Sequence, residues 1–222
     1  MKKDLVFLKN KENIIKAFKE IDKDKFHLIY FDYTLNWYNF YHNPLLITTK
    51  ALAFLTGKKD VDHVCHIARY NYDRSLKCWL PIIFEAQNNE GMIENDLLSR
   101  LQDFQGKCYI ETIGDLDKNK LAAFTKKYKN VAYSKIAAGF AGIDIKYFEK
   151  AKSRFGGFCS WLATLCLQDQ GYIIKVEKGN PFEITPSDLW NENKLNKKLL
   201  YSYEKAKSRF GNFCSWLATL CL

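Results

Sequence analysis

Cys159 is the residue whose neighbours best suit it to covalent chemistry. It follows Gly156 and Gly157, and beyond Ser160 the apolar side chains of Trp161, Leu162, Leu165 and Cys166 recur at helical spacing until Gly171. The pattern predicts a helix with Cys159 in its first turn. Unpaired N–H groups and partial positive charge at a helix N-terminus bias a thiol toward thiolate, the nucleophilic form. The plainer alternative is a small buried hydrophobe, the commoner fate of a free cysteine.

Two stretches upstream carry further titratable candidates. Residues 61–70, VDHVCHIARY, and 78–87, CWLPIIFEAQ, read as strands joined by NYDRSLK, and together they predict an antiparallel hairpin. With the turn centred on Arg74, His63 lies beside Glu85 on one face of the sheet. A loop one residue longer or shorter flips the parity and brings His66 beside Glu85 instead, because strand side chains alternate. Both registers stay open at this level. Glu85, between Phe84 and Ala86, needs a partner because a carboxylate inside an apolar strand is costly, and His63 is the nearest. His63 also reads as a surface histidine paired with Asp62, and His66 as a satisfied core or edge residue.

The elements that must position these groups make an α+β set. Ile14, Ile15, Phe18 and Ile21 mark an amphipathic helix over residues 11–22, and FHLIYF at 26–31 a short strand. An aromatic loop at 33–41 and His42 precede a helix over 45–55 that starts at Asn43 and Pro44 and stops at Gly57. NNEG at 88–91 reads as a turn, Asn95 as the cap of a short helix to Phe104, and KCYIETI at 107–113 as a third strand. Asp117 caps a helix through Leu121, Phe124 and Tyr128. Residues 131–148 form a packing region of small and aromatic side chains, 172–176 a strand, and Thr185, Pro186, Ser187 and Asp188 a helix or turn start.

Composition bounds the function classes. The 222 residues, 47% hydrophobic and 27% charged, suffice for one domain with its own core. The net charge of +9 comes from lysines spread over both ends, without the compact arginine-rich block and stacking aromatics of a nucleic-acid binder. No specific nucleic-acid partner is expected, only a mild preference for anionic surfaces. Seven cysteines, an odd number with no CxxC pair and no zinc-like Cys/His spacing, argue against a disulfide scaffold and a structural metal. The stretch MKKDLVFLKNKENII lacks a signal-peptide pattern and no apolar run has bilayer length. The reducing cytoplasm of a cell or infected host is the expected location.

One segment occurs twice. EKAKSRFGGFCSWLATLCL at 149–167 returns as EKAKSRFGNFCSWLATLCL at 204–222, with Gly157 replaced by Asn212. Solenoid repeats diverge and recur several times, so a single near-identical copy reads as a recent duplication or a sequence artefact. It makes Cys214 a second candidate nucleophile, but a helix needs a groove for its apolar face, and the first copy should already occupy it. Cys159 is therefore preferred. The tail is expected to dock elsewhere, mediate self-association or stay poorly ordered.

Four motifs in order, DHVCHIA at 62–68, FEAQ at 84–87, FCSWLA at 158–163 and ITPSDL at 184–189, resemble the permuted papain-like cysteine hydrolases, the YiiX-like branch of the NlpC-type superfamily. In that group an HVGI-like strand histidine, a strand ending in EA, a CSELV-like nucleophile helix and a TPxDL segment follow one another. Here Cys65 and His66 replace the glycine and aliphatic residue, and Trp161 stands in place of glutamate. The resemblance implies a circularly permuted papain-like fold, an antiparallel sheet packed against a cysteine-bearing helix. The resemblance covers a hydrolase domain at 26–190 and leaves the amphipathic extension at 1–25 and the basic tail at 191–222 outside it.

The implied catalytic residues are Cys159 as nucleophile, His63 as the group that takes and returns the proton, and Glu85 as the group orienting the imidazole. The Cys159 backbone N–H would supply part of an oxyanion hole. No cofactor or metal is implied. The implied activity is that of a thiol hydrolase, an amidase or peptidase or an esterase or acyltransferase, on a peptide, isopeptide, cell-wall amide or lipid ester. The alternative is a catalytically inactive papain-like domain, of a phage-encoded kind, that binds a partner through its aromatic loop and lysine-rich ends.

Overall fold

The computed structural model describes residues 2–34, 61–87, 90–134, 157–174, 181, 184–192 and 197–202, with side chains from residue 10 onward. The alternation of strand residues builds two cores back to back. In β1 (Lys25–Tyr33), Phe26, Leu28 and Tyr30 enter one core while Ile29 and Phe31 enter the other. A strand apolar on both faces belongs inside a sheet. β1 indeed pairs antiparallel with both β2 (His63–Asp73) and β5 (Gly106–Asp115).

Among the described residues the sheet has six antiparallel strands in the order β4-β3-β2-β1-β5-β6, with β3 (Cys78–Gln87), β4 (Gly91–Asp96) and β6 (Lys197–Ser202) completing it. One face is covered by α1 (Lys2–Lys19), through Ile14 and Phe18, and by α2 (Leu97–Gln102), through Leu97 and Leu101. The other face packs against α3 (Lys118–Tyr128), α4 (Cys159–Asp169) and α5 (Pro186–Glu192). The protein is thus an α+β protein. No helix among the described residues is long and apolar enough to cross a membrane.

Three expectations are corrected. Gly91, read as the end of a turn, and Asn95, read as a helix cap, instead lie in the edge strand β4, because the ladder to β3 satisfies a polar segment that has no apolar period of its own. The cap of α2 is Asp96, which accepts from the Ser99 N–H at 2.7 Å, and not Asn95. Residues 172–174 lie outside any strand, with Ile173 almost fully exposed.

Part of the tail expected at 191–222 lies among the described residues. Lys197–Ser202 is an edge strand paired with β5, anchored where the nearly buried Lys197 ammonium meets the buried Glu111 at 3.0 Å. The expected helix at 45–55, His42, most of the aromatic loop and the whole duplicate at 204–222, with Cys214, lie outside the described residues.

Candidate active site

The turn between β2 and β3 sets a register in which Asp73 pairs with Cys78 and Arg69 with Ile82. Continued unbroken, that register would pair His66 with Glu85. A β-bulge between Ile67 and Arg69 shifts it by one, so that Ile67 pairs with Ile83 and His66 with Phe84. The shift reverses the parity. His63 and Glu85 now share a face as diagonal neighbours, and His63 Nε2 lies 2.8 Å from Glu85 Oε2.

Glu85 is wholly buried and fully satisfied. Its Oε1 accepts from Gln87 Nε2 and Asn95 Nδ2, each at 2.8 Å, and lies 3.3 Å from Arg100 Nε. Burial pushes the carboxyl up, but the His63 hydrogen bond and charge, then Arg100 and Asn95, overcome it and hold the group down at about 2. Arg100 also donates to the Tyr33 hydroxyl and lies over the Phe31 ring. No sequence signal marked Arg100, because the short helix that carries it meets Glu85 only once β4 has folded against β3.

Cys159 opens α4. Phe158 precedes it at the N-cap position with extended backbone (φ −143°, ψ 174°) and no side-chain capping bond, and its carbonyl accepts the first intrahelical bond, from the Leu162 N–H, at 2.9 Å. The approach to the helix is fixed by main-chain bonds: the Ser134 N–H donates to the Gly157 carbonyl at 2.8 Å, and the Gly157 N–H to the Ala132 carbonyl at 3.2 Å. The Trp161 ring lies directly on Gly157, where an added Cβ would come within 2.1 Å of it. Trp161 also meets Tyr128 edge-on. At the far end, Gly171 stops the helix with φ +89°.

His63 is the first residue of β2, and its ring meets both layers: Phe31 and Glu85 from one, Cys159 from the other. With Nε2 taken by Glu85, Nδ1 is the nitrogen left for the Cys159 thiol. Burial disfavours the charged imidazole, yet the hydrogen bonds to Cys159 and Glu85 and the charges of both outweigh it and raise the ring to about 9. Asp62 does not claim His63; its carboxylate accepts from the Tyr33 N–H at 2.7 Å.

His66 points from the face of the sheet opposite to Glu85, into the core that also holds the cysteine helix, completely buried among the rings of Phe26, Phe84 and Phe124. Neither ring nitrogen finds a partner among the described residues, and burial pushes its pKa down to about 3. It is a neutral core residue. Ile184–Leu189 holds the site from behind: Thr185 and Asp188 cap α5 reciprocally, and the Ser187 hydroxyl bridges the Val61 N–H and C=O at 3.4 Å, two residues before His63.

The structure therefore brings Cys159, His63 and Glu85 together from three elements and keeps His66 away. Such a row can move a proton between a thiol and an imidazole whose tautomer is held by a carboxylate. Among the described residues no three His, Cys, Asp or Glu side chains are gathered as metal ligands. Comparison with protein-family models, curated proteins and solved structures finds no match to the chain.

Proposed function

We propose that the chain is a cysteine hydrolase or acyltransferase of the permuted papain-like kind, acting on an amide or ester carbonyl. The convergence of Cys159 at a helix start, His63 and the buried Glu85 carries this reading. The Cys159 thiol passes its proton to His63 Nδ1, and the thiolate bonds to the carbonyl carbon. The tetrahedral oxyanion is held by the Cys159 backbone N–H, which has no acceptor among the described residues, as in any first helical turn. Collapse breaks the carbon–nitrogen or carbon–oxygen bond, and His63 gives its proton to the leaving group. Water, deprotonated by His63, then cleaves the thioester and regenerates the thiol. The substrate class is a peptide, isopeptide, cell-wall amide or lipid ester.

A second reading is a silent papain-like domain used for binding. It draws on the small exposure of Cys159, 8% of its surface. Limiting iodoacetamide across pH 5 to 9, with the adduct located by mass spectrometry, separates the two. Alkylation selective for Cys159 well below the ordinary thiol range of about 8.5, abolished by His63→Ala, supports the hydrolase. Slow labelling that rises only near that value at all seven cysteines leaves the binding domain.

A further inference from the structure

We propose that Arg100 is a positioning residue of this cluster: by neutralising Glu85 it leaves the positive charge of a protonated His63 free to hold a thiolate at Cys159. The inference rests on the reading of Cys159 and His63 as a reacting pair. Glu85 is fully buried, and the Arg100 side chain is 21% exposed with its Nε 3.3 Å from Glu85 Oε1. Buried charges persist when they are balanced, because the low dielectric of the interior penalises any surplus.

With Arg100 present, carboxylate, guanidinium, imidazolium and thiolate sum to zero. Moving the thiol proton onto His63 Nδ1 leaves that sum unchanged. Without Arg100 the same proton transfer leaves a net negative cluster, with the thiolate in the field of an uncompensated carboxylate. The balanced state is then an imidazolium bound to Glu85 beside a neutral thiol, which is not a nucleophile.

The neighbouring titratable groups do not supply the missing charge. Tyr33, which accepts from Arg100, is held neutral by burial, as are the thiols of Cys65 and Cys108. Asp62, which accepts from the Tyr33 N–H, is an acid and adds no positive charge. Tyr133, on the approach to α4, is likewise held neutral by burial. Gln87 and Asn95 still grip Glu85 Oε1 when Arg100 is removed, so the carboxylate stays in place and only the charge is lost.

The test compares full-length wild type, Arg100→Gln and Arg100→Lys by the pH profile of Cys159 alkylation and by NMR titration of the His63 ring, assigned with His63→Gln. Arg100→Gln is expected to move the alkylation profile up by about one pH unit, a tenfold loss of rate on its acid side. It should also raise the His63 titration. Arg100→Lys keeps the charge while losing the fork and the stack on Phe31, and is expected to stay close to wild type; it decides the matter if Arg100→Gln does not fold. A folded Arg100→Gln with the wild-type profile, or an Arg100→Lys displaced upward, overturns the inference. If wild type itself shows no selective alkylation of Cys159, the hydrolase reading fails instead, so the two failures are distinguishable.

Discussion

His63 Nε2 and Glu85 Oε2, 2.8 Å apart, belong to strands whose turn would have paired Glu85 with His66 had no bulge intervened. The bond joins a ring at a strand's first residue to a carboxylate with no exposed surface. Its cost in desolvation is met by Asn95, Gln87 and Arg100 on the other oxygen. Glu85→Gln removes the charge but keeps the shape, and the His63 titration should fall from about 9 by about one unit or more. NMR titration of the histidine rings checks this; an unmoved His63 would show that Glu85 does not hold its proton.

Acid should weaken the fold through His66. Its folded value of about 3 lies below the ordinary 6.5, so the stability it contributes is intact above pH 6.5 and is lost as pH falls toward 3. The slope is about 1.4 kcal/mol per pH unit. Glu85, held at about 2, adds a loss in the same direction below its ordinary 4.5. His66→Phe, which fits the ring cage of Phe26, Phe84 and Phe124, should flatten urea-derived stability between pH 6 and 4.5. An unchanged acid slope would remove His66 as its cause.

Alkali should act through His63. Its raised value means that the stability it contributes is fully present below pH 6.5 and is lost as pH rises through about 9. His63→Gln should be less stable than wild type at pH 6 and closer to it at pH 10. Denaturant titrations at the two values decide, and a gap that widens at pH 10 would contradict the assignment.

Gly157→Asn gives the first copy of the repeated segment the residue found in the second. An added Cβ would stand 2.1 Å from the Trp161 ring and 2.7 Å from Met92 Cε, so overpacking should cost about 1–3 kcal/mol. Combined with Trp161→Leu, the loss should be smaller than the sum of the two single losses. Strict additivity in urea denaturation would mean that the ring does not set the demand for glycine.

The edge strand should prove integral to the sheet. Lys197→Met leaves the buried Glu111 with the Tyr30 hydroxyl but no counter-charge among the described residues and should cost about 3–5 kcal/mol. Glu111→Gln, added to it, should restore part of that stability because the amide oxygen still accepts from Tyr30 Oη. If the single variant unfolds at the wild-type urea concentration, the ion pair contributes nothing to holding β6.

The sequence by itself determined the elements whose signals are local. The cysteine helix follows from the spacing of Leu162, Leu165 and Cys166 and the glycine stop, the helix over Lys118–Tyr128 from its Asp117 cap, and β3 from its apolar run. It also narrowed the partner of Glu85 to two histidines. Tertiary structure alone chose between them, because parity depends on a single bulge in the ladder between β2 and β3. Arg100 and Asn95 were illegible for the same reason: they reach Glu85 only after β4 pairs with β3, so their roles are properties of an assembled sheet.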